Sequence, residues 1–461
     1  MTILYHTLLH LYLLGSGLLG FFSPKAALFY KGRKGLLRHI GKQMTLSGSG
    51  KSDSGAAFVS GKSCQSRIWV HCASVGEFEQ ARPVIEKLRE REPACTIILT
   101  FFSPSGYELR KGYPLANHVF YLPMDTAVNA SRFLDLIQPT VAIFVKYEFW
   151  RNYIAELNRR SVPLYLVSAL FRESQPFFRW WGSGFREMLR SFTHLFVQDN
   201  DSLMLLKSIG IESVTACGDT RFDRVSEIAE HSKPIPSLEI FSGGSLCCVA
   251  GSTWPADESL LLRTYLPIIK EGLSQNPVKK LIIAPHEVDE AHIAKLIREL
   301  GDTPYIRYSK VKDLLKSSDS ESHDSESCDY QFSEDVKRSL EVASVFIIDT
   351  VGILSSAYRY GSFAYIGGGF GAGIHNTLEP ATFGLPIIFG PRYTKFREAK
   401  ELLTLGGAYC VESESEISQI LYKLIDNSAF RKESSVICSD YVNKNRGATE
   451  VILNSIAPLN T

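Results

Sequence analysis

The sequence lacks the cysteine patterns that would staple a small fold or bind a metal ion. None of its nine cysteines forms a Cys-x-x-Cys pair or lies near a His-x-x-x-His pair. An odd number of cysteines without a regular spacing argues against a disulfide framework and fits a reducing compartment. Cys72, Cys247 and Cys248 lie in apolar runs that are typical of buried strands. We therefore expect small buried thiols and no metal site.

The chain also lacks a large excess of charge of either sign. Its 461 residues carry a formal net charge of +1 at pH 7. This balance argues against a general nucleic-acid-binding protein, because such proteins present a strong basic field. Apolar residues make up 45% and charged residues 21%, which excludes a disordered or fibrous chain. A chain of this length is expected to form two or three domains.

The first 24 residues contain no Asp, Glu, Lys or Arg. The apolar run at 3–22 has about the 20 residues that a helix needs to cross a bilayer. Basic residues without an acid follow it, and such a cluster stays cytoplasmic and attracts anionic headgroups. We predict a membrane-anchor helix at 1–24 and a basic juxtamembrane segment and linker at 25–66; an interfacial helix and a helix packed on the body are the alternatives. The basic residues are Lys25, Lys31, Arg33, Lys34, Arg38 and Lys42.

After this linker, short β-branched apolar runs alternate with amphipathic stretches. Strands buried on both faces and separated by helices are typical of a parallel, doubly wound sheet. A Pro/Gly/Ser-rich connector at 231–244 interrupts the alternation, which then restarts. We predict Rossmann-like domains at 67–230 and 245–425 and helices at 426–461. Within the second domain, the acidic, serine-rich stretch 310–335 is expected to be a disordered insertion.

Two successive Rossmann-like halves with a helical tail suggest the α/β architecture called GT-B. In that fold the carboxyl ends of two parallel sheets face each other across a cleft. Ligands of open α/β sheets bind outside the carboxyl ends of the strands. Residues that follow the predicted strands are therefore the first candidates for a functional site.

A candidate catalytic acid follows the first predicted strand. Ser74 and Glu77 have the Ser-x-x-Glu spacing of a capping box, in which each side chain binds a backbone N–H at a helix start. The same carboxylate, kept ionised by the helix dipole, could accept a proton from an attacking hydroxyl. Spacing alone favours the cap over the base. Glu148 ends another strand, where an acid is often only a first-turn helix charge.

In the second half, two segments of small residues follow predicted strands. Residues 251–253, Gly-Ser-Thr, form either a phosphate-binding turn or an ordinary N-cap. Residues 367–373 contain five glycines ahead of a helix and would let a ligand meet backbone amides. The stretch fits a dinucleotide-binding fingerprint poorly, because that fingerprint requires a ribose-binding acid about 20 residues later and the sequence has none there. Asn376 and Glu379, three apart on one helix face, are expected to hydrogen-bond a ribose or base, and a tight turn with a cap is the alternative.

Several segments, spread in order over most of the chain, match the motifs of one known family. With them the sequence resembles the Kdo transferases, the 3-deoxy-D-manno-octulosonic acid transferases of lipid A assembly. The segments are 69–77, 100–106, 121–125, 148–150, 217–223, 249–253, 349–352, 373–380, 389–391 and 396–398.

The resemblance implies an inverting glycosyltransferase that moves Kdo from CMP-Kdo to a lipid A precursor of the lipid IVA type, in lipopolysaccharide core assembly. It implies a place on the cytoplasmic face of the bacterial inner membrane, with no cofactor, no metal and no nucleic-acid partner. It assigns Glu77 as the proton acceptor and Glu148 and Arg221 as stabilisers of the transition state. Arg221 stands where relatives usually carry Lys and retains the positive charge that a departing CMP phosphate needs.

The resemblance also places the residues that bind the CMP-sugar in the second half. Two positions depart from many relatives: Pro-His-Glu at 285–287 replaces Pro-Arg-His, and Gly-Ile-Leu at 352–354 replaces Gly-Glu-Leu. An arginine and a carboxylate are therefore missing. The implied donor-binding residues are Pro285, His286, Val351, Gly352, Ile353, Asn376, Thr377, Leu378 and Glu379, with Gly251, Ser252, Thr253, Gly369 and Gly373 as further candidates.

Two other functions are compatible with these motifs. One is another GT-B transferase that uses a different nucleotide-sugar, such as a UDP-sugar, and a lipid-linked acceptor. The other is a non-catalytic membrane protein that binds sugar nucleotides. The donor nucleotide distinguishes a Kdo transferase from a transferase that uses another nucleotide-sugar. Catalytic activity distinguishes it from a non-catalytic binding protein.

Overall fold

The computed structural model describes residues 5, 7, 9, 15, 23–48, 66–271, 278–312 and 332–456. The chain divides into two compact units, the first formed by 1–224 and 446–461 and the second by 225–445. The division falls within the helix Arg221–His231. Each unit contains one seven-stranded sheet whose strands all run parallel.

The sheet of the first unit reverses its strand order in the middle. From one edge to the other its strands lie in the order β3, β2, β1, β4, β5, β6, β7. From β1 the chain continues toward one edge of the sheet, and from β4 it continues toward the other edge. The boundary between β1 and β4 is therefore a switch point, and α/β sheets usually bind ligands at such a point. The strands are β1 (Arg67–Cys72), β2 (Thr96–Phe101), β3 (His118–Tyr121), β4 (Val141–Val145), β5 (Leu164–Ala169), β6 (His194–Val197) and β7 (Val214–Ala216).

The sheet of the second unit has the same kind of reversal. Its strands lie in the order β10, β11, β9, β8, β12, β13, β14, with the switch point between β8 and β12. The strands are β8 (Leu246–Thr253), β9 (Lys279–Pro285), β10 (Tyr305–Arg307), β11 (Val345–Ile347), β12 (Phe363–Ile366), β13 (Ile387–Phe389) and β14 (Ala408–Cys410).

Helices connect the strands, and polar side chains fix where several of them begin. Thr126 accepts from the N–H of Asn129 at 3.2 Å, and Asp199 accepts from the N–H of Ser202 at 2.8 Å, so each caps a helix start. Helices span Pro24–Lys31, Leu36–Gly48, Val75–Arg91, Pro104–Arg110, Ala127–Ile137, Arg151–Arg159, Ser183–Arg190, Asn200–Ser208, Arg221–His231, Pro236–Ser242, Pro255–Glu271, Glu290–Leu300, Glu334–Val342, Leu354–Ala357, Leu378–Thr382, Arg397–Leu405, Glu414–Asp426, Ser428–Asn445 and Ala448–Ser455.

Both sheets are buried on both faces, as the continuous apolar runs predict. Trp69 in β1 is fully buried, and its ring meets the edges or faces of Phe133, Phe144 and Tyr153 at centroid distances of 5.0 to 5.5 Å. Each such aromatic contact contributes about 0.5–1.5 kcal/mol beyond area burial. Trp69 therefore anchors one layer of helices to the sheet that carries the candidate catalytic residues.

The end of the chain belongs to the first unit. The predicted tail 426–461 is helical where it is described, but only Ser428–Asn445 lies in the second unit. In the last helix, Ile452 and Leu453 join the core around β1, and Asp223 accepts the N–H of Thr449 at 2.7 Å. These contacts join residues more than 200 positions apart, so no local pattern predicts them.

The N-terminal and acidic segments are only partly described. Among the residues that the structure describes, no helix is long and apolar enough to cross a membrane. The predicted anchor at 1–24 lies almost entirely outside those residues, so the structure gives no support for a spanning helix there. Where it is described, Tyr5 donates to Asp125 and Leu9 packs with Phe29, which fits the alternative of a helix packed on the body. Most of the predicted insertion at 310–335 also lies outside the described residues.

Candidate active site

The predicted acids of the first unit follow two strands that pair at the switch point. Glu77 comes after β1 and Glu148 after β4, and β1 and β4 are parallel neighbours. Burial raises the pKa of the Cys72 thiol well above its ordinary value, and the negative charges of Glu77 and Glu148 raise it further. Because β1 and β4 are neighbours, the two predicted acids follow strand ends at the same edge of the sheet.

Glu77 forms the predicted capping box. The N–H of Ser74 donates to Glu77 Oε2 at 3.1 Å, the Ser74 hydroxyl donates to the same oxygen, and the N–H of Gly76 donates to Ser74 Oγ at 3.3 Å. None of the described residues donates to Glu77 Oε1, and the side chain is half-buried. The cap thus holds one carboxylate oxygen at the helix start and leaves the other for a substrate hydroxyl.

Glu148 is buried and held by a chain of side chains. Its Oε2 lies 2.9 Å from His71 Nε2 and accepts the indole N–H of Trp150 at 2.5 Å. On the other side of the imidazole, Nδ1 lies 2.8 Å from the Thr100 hydroxyl, which accepts the indole N–H of Trp69 at 2.8 Å. These contacts fit Nε2–H as a donor to Glu148 Oε2, while Nδ1 accepts from the Thr100 hydroxyl or donates to the Thr100 carbonyl oxygen, which lies 3.2 Å away. His71 is fully buried and Glu148 is 7% exposed, so the carboxylate has a fixed orientation.

Sequence reasoning does not single out His71, although it contacts a predicted catalytic residue. It lies in the apolar run of β1, and all its neighbours in that strand from Ile68 onward are buried. A polar residue inside a strand that is buried on both faces must find a hydrogen-bond partner. That requirement is the signal that would have identified His71.

Arg221 is held by an acid that the prediction also omits. Its Nε donates to Asp219 Oδ2 at 3.0 Å and its backbone N–H to Oδ1 at 2.9 Å. Burial raises the pKa of Asp219, but the charge and hydrogen bonds of Arg221 outweigh burial and lower that pKa overall. Asp219 also accepts from Gln80 at 3.0 Å, on the helix Val75–Arg91 that carries Glu77. Arg221 is thus connected to the helix of Glu77 through two buried side chains.

The carboxyl ends of three strands carry strained backbone. Lys146 after β4, Ser168 in β5 and Ser252 in β8 have positive φ angles of 66°, 54° and 53°. A left-handed conformation costs a residue other than glycine about 1–3 kcal/mol, and such residues cluster at functional sites. Lys146 and Ser252 therefore mark strand ends that also carry predicted residues, Glu148 after β4 and 251–253 in β8, whereas no predicted residue follows β5.

In the second unit, the predicted donor-binding residues follow four adjacent strands. They are the last residues of β8 and β9 or follow β9, β11 and β12, and the carboxyl ends of these four strands share one edge of the sheet. The topology thus gathers the segments 251–253, 285–286, 351–353 and 367–379. Val351 is 87% exposed, and Gly352 has a φ of 103°, so 351–353 forms an exposed turn at this edge.

Three rings join the loops at this edge. The ring of His286 stacks on Trp254 and on His375, with centroid distances of 4.6 Å on both sides. The indole N–H of Trp254 donates to His375 Nε2 at 3.2 Å. Burial lowers the pKa of His375, and the nearby imidazole of His286 lowers it further. The stack holds the predicted residue His286 in place and leaves it exposed. Trp254 and His375 are missing from the prediction; Trp254 could have been indicated as an aromatic residue directly after a strand, whereas His375 lies nine residues after β12.

Close packing of the protein itself requires several of the predicted glycines. A Cβ on Gly367 would lie 2.2 Å from the carbonyl oxygen of Ser252, and one on Gly369 would lie 2.5 Å from Gly390 Cα. A Cβ on Gly251 would lie 2.0 Å from the hydroxyl of a buried tyrosine. The interpretation that these glycines make room for a ligand is therefore incomplete, because backbone contacts already explain them.

The hydroxyl of Thr253 has a structural role as well. It donates to the buried carboxylate of Glu258 at 3.0 Å, and Glu258 Oε1 also lies 3.0 Å from His292 Nε2. Burial raises the pKa of Glu258, although its hydrogen bonds to His292 and Thr253 act in the opposite direction. Of the three residues at 251–253, Gly251 and Thr253 are buried, whereas Ser252 is half-buried and has a strained, left-handed backbone conformation.

Asn376 and Glu379 are joined, but they do not share a helix face. The helix spans Leu378–Thr382, so Asn376 precedes it and accepts the N–H of Leu378 at 3.0 Å. The amide of Asn376 donates to Glu379 Oε1 at 3.0 Å, and Ser355 donates to Glu379 Oε2 at 2.7 Å. The predicted helix face is wrong because the helix begins two residues later. The side chain of Leu378 is fully buried, so only its backbone is available to a ligand.

Two threonine hydroxyls at this edge have no hydrogen-bond partner among the described residues. They belong to Thr377, which is 1% exposed, and to Thr350, which precedes the turn at 351–353. Burying a hydroxyl without a partner costs about 1–3 kcal/mol. A bound ligand with hydrogen-bonding groups would offset that cost. Within the described ranges, no group of His, Cys, Asp and Glu side chains is placed to hold a metal ion.

Known proteins with similar sequences include Kdo transferases. The 3-deoxy-D-manno-octulosonic acid transferase of Aquifex aeolicus is 29% identical over 380 residues, which cover 81% of this chain and 90% of that protein. Those of Haemophilus influenzae and Rickettsia felis are 25% and 27% identical over 405 and 372 residues. These alignments cover 85% and 79% of this chain and 86% and 73% of the relatives.

Solved structures with a similar fold include a UDP-GlcNAc 2-epimerase and MurG. The UDP-GlcNAc 2-epimerase of Neisseria meningitidis has a TM-score of 0.54 at 14% identity and covers 84% of this chain and 98% of its own. MurG of Acinetobacter baumannii has a TM-score of 0.50 at 12% identity and covers 85% and 99%. At such identities the likeness shows the fold alone. It confirms the predicted GT-B class of two α/β domains with parallel sheets.

A family model covers the first of these domains. Residues 41–224 match the model described as 3-deoxy-D-manno-octulosonic-acid transferase, or kdotransferase. That range contains β1 to β7 and all three predicted catalytic residues, Glu77, Glu148 and Arg221. The family match and the curated relatives thereby confirm the resemblance to the Kdo transferases that the sequence motifs predict.

Proposed function

We propose that this chain transfers Kdo from CMP-Kdo to a lipid A precursor of the lipid IVA type, on the cytoplasmic face of the inner membrane. The observation that carries the proposal is the position of Glu77, in the range that matches the family model. Its carboxylate is half-buried at the switch point of the first sheet, with one oxygen held and the other not engaged by the described residues. This is the arrangement that a general base requires.

The proposed reaction is a single displacement with inversion. A hydroxyl oxygen of the acceptor forms a bond to the anomeric carbon of Kdo, while the bond from that carbon to the phosphate oxygen of CMP breaks. CMP leaves with the electron pair of the broken bond. The hydroxyl proton passes to Glu77 Oε1, so no metal or cofactor enters the balance.

Glu148 and Arg221 would stabilise opposite charges in the transition state. The sugar develops positive charge as CMP leaves, and the buried carboxylate of Glu148 is oriented by His71 and Trp150. The phosphate develops negative charge, which a guanidinium can offset. Asp219 holds that guanidinium in place through its hydrogen bonds to Arg221.

The second unit would bind the CMP group at the edge formed by β8, β9, β11 and β12. Support comes from the hydroxyls of Thr377 and Thr350, which have no hydrogen-bond partner among the described residues, and from the exposed ring of His286. CMP presents ribose hydroxyls, a phosphate and base edges, and these groups supply the partners that a buried hydroxyl lacks. Asn376 and Glu379 are bound to each other, so they would act as one polar unit toward the ribose or base.

Thr377→Val is expected to weaken CMP binding about fivefold to tenfold without destabilising the free protein. The substitution removes a hydroxyl that has no partner among the described residues, and a lost ligand hydrogen bond corresponds to about 1 kcal/mol. Thr449→Val is the matched control, because its hydroxyl is also buried and unpaired but lies in the first unit. Calorimetric titration with CMP measures the affinities.

The same titration separates the proposed donor from its alternative. CMP should bind and raise the melting temperature of the wild-type protein, whereas UDP should do neither. Protection by UDP in place of CMP would favour a different nucleotide-sugar. Equal CMP affinities for Thr377→Val and Thr449→Val would remove Thr377 from the donor site.

A further inference from the structure

The imidazole of His375 is held by its neighbours at the end of the glycine-rich stretch. The backbone N–H of His375 donates to the carbonyl oxygen of Gly367 at 3.2 Å. The ring packs against the ring of His286 with a centroid distance of 4.6 Å. A Cβ on Gly368 would lie 3.2 Å from His375 Cδ2, so that ring atom faces the protein. The imidazole is therefore fixed at the edge where the predicted donor-binding segments meet.

A hydrogen bond from Trp254 decides which nitrogen of this imidazole carries the proton. An indole N–H can only donate, and that of Trp254 donates to His375 Nε2 at 3.2 Å. Nε2 must therefore offer a lone pair, so the neutral ring carries its proton on Nδ1. Burial and the nearby His286 lower the pKa of His375, which favours the neutral ring. His375 is thus a hydrogen-bond donor at Nδ1.

The Nδ1 atom lies opposite the ring edge that contacts the protein. Nε2 and Cδ2 form one edge of the imidazole, and Nδ1 is the ring vertex opposite that edge. Those two atoms face Trp254 and the backbone at Gly368. Among the described residues, none hydrogen-bonds to Nδ1, and the atom is not buried. The protein therefore orients this donor and leaves it available to a ligand.

Asp257 fixes the two backbone segments that hold the imidazole. Its carboxylate is 1% exposed and accepts the N–H of Trp254 at 2.9 Å and the N–H of Gly368 at 2.8 Å. It also accepts the hydroxyl of the buried Tyr365 at 2.8 Å. A buried carboxylate with three donors holds those donors firmly. Trp254 and the loop that carries His375 thus have a fixed geometry before any ligand binds, which lowers the entropic cost of binding.

Further hydrogen-bond donors follow His375 in the chain. The hydroxyl of Thr377 is buried and has no partner among the described residues. The backbone N–H groups of Asn376 and Thr377 also lack an acceptor in that part of the chain. Donors without acceptors favour a ligand that carries several acceptor oxygens, and anionic oxygens form the stronger hydrogen bonds.

We propose that His375 is a donor-binding residue whose Nδ1–H binds an anionic oxygen of the sugar nucleotide. CMP-Kdo carries two anionic groups close together, the phosphate and the carboxylate on the anomeric carbon of Kdo. Either group offers the acceptor that Nδ1–H requires. The identity of this ligand rests on the proposed function, whereas the tautomer of His375 is a property of the protein alone.

Calorimetric titration with cytidine, CMP and CMP-Kdo, in the absence of a lipid acceptor, tests the ligand. His375→Phe keeps an aromatic ring beside His286 and removes Nδ1–H. It should weaken the binding of CMP-Kdo about tenfold or more and leave that of cytidine unchanged, because cytidine has no anionic group. An equal loss of CMP affinity would identify the phosphate as the bound group, and an unchanged CMP affinity would identify the carboxylate. The matched control is His231→Phe, the same substitution at an exposed position of the second unit, which should change none of the affinities.

The tautomer is tested without any ligand. Proton–nitrogen NMR correlation spectra of protein with isotope-labelled histidine distinguish Nδ1–H from Nε2–H, and the signal that is absent from His375→Phe belongs to His375. The wild type should show the Nδ1–H form. Trp254→Phe keeps an aromatic ring beside His286 and removes the indole N–H, so the preference for this form should be lost.

Three results would overturn the role of His375. One is an Nε2–H signal for His375 in the folded wild type. Another is an equal affinity of His375→Phe and His231→Phe for CMP-Kdo at unchanged melting temperatures. The third is a loss of cytidine affinity as large as the loss of CMP-Kdo affinity, because His375 would then act on the nucleoside or on the fold.

These failures are distinguishable from a failure of the proposed function. A wild-type protein that transfers Kdo while His375→Phe binds CMP-Kdo normally would remove only His375 from the donor site. A wild-type protein that binds CMP-Kdo through His375 and adds no Kdo to the lipid would contradict only the proposed function.

Discussion

Glu77→Gln is expected to lower the rate of sugar transfer about 10²–10⁴-fold while leaving the fold in place. The substitution removes the base and keeps the cap, because glutamine serves the third position of a capping box as glutamate does. The hydrogen bond from the N–H of Ser74 can therefore persist. Steady-state kinetics at saturating donor, together with the melting temperature, measure both effects.

Ser74→Ala is the matched control for Glu77→Gln. It removes the hydroxyl that contacts Glu77 and Gly76, so the helix start should lose about 0.5–2 kcal/mol of stability. The rate of transfer should stay within a few-fold of the wild type. If Glu77→Gln turned over at the wild-type rate, Glu77 would be a helix cap only, as its spacing alone favours.

His71→Ala is expected to have the second largest effect, on both stability and rate. It removes one of the donors to the buried Glu148 carboxylate and a partner of Thr100. A buried group that loses its partner costs about 1–3 kcal/mol, and more when it is charged. With Glu148 less firmly oriented, the turnover number should fall while the KM for the donor stays near the wild-type value. Urea unfolding and steady-state kinetics measure the two effects.

His118→Ala is the matched control for His71→Ala. His118 is also a buried histidine of the first sheet, but it begins β3, at the amino edge of the sheet and away from the candidate site. Its replacement should lower stability and leave the turnover number unchanged. Equal turnover numbers for the two variants, measured where both are folded, would show that His71 does not act through Glu148.

Much of the fold could be predicted from the sequence. Strands buried on both faces appear as uninterrupted apolar runs, and connecting helices appear as amphipathic stretches, so the parallel α/β architecture of both units follows from local patterns. The return of Ala448–Ser455 to the first unit could not be predicted. It depends on contacts such as Asp223 with the N–H of Thr449, between residues that are far apart in sequence.

The candidate site could be predicted in part, because parallel strands end at a common edge. Residues after β1 and β4, such as Glu77 and Glu148, are expected there on topology alone. The buried residues behind them could not be identified, because polar side chains inside apolar runs have no characteristic spacing. His71 is one example, and its partner Thr100 lies on the next strand of the sheet.

The glycine-rich stretch shows why a motif can be located and still be misinterpreted. Its spacing indicated backbone exposed to a ligand, whereas Gly367 and Gly369 are required first by contacts with Ser252 and Gly390. The start of the following helix was also misplaced, because Asn376 accepts the N–H of Leu378 and so precedes the first turn. The glycine contacts join residues that are far apart in sequence, which no local pattern encodes, whereas a local contact sets the start of the helix.

Incubation of the purified chain with CMP-Kdo and a tetraacylated lipid A precursor, followed by mass spectrometry of the lipid, tests the central claim most directly. The proposed function predicts that the lipid gains the mass of one or more Kdo residues with the wild-type protein and gains none with Glu77→Gln. An unchanged lipid mass with wild-type protein that is folded and binds CMP would contradict it.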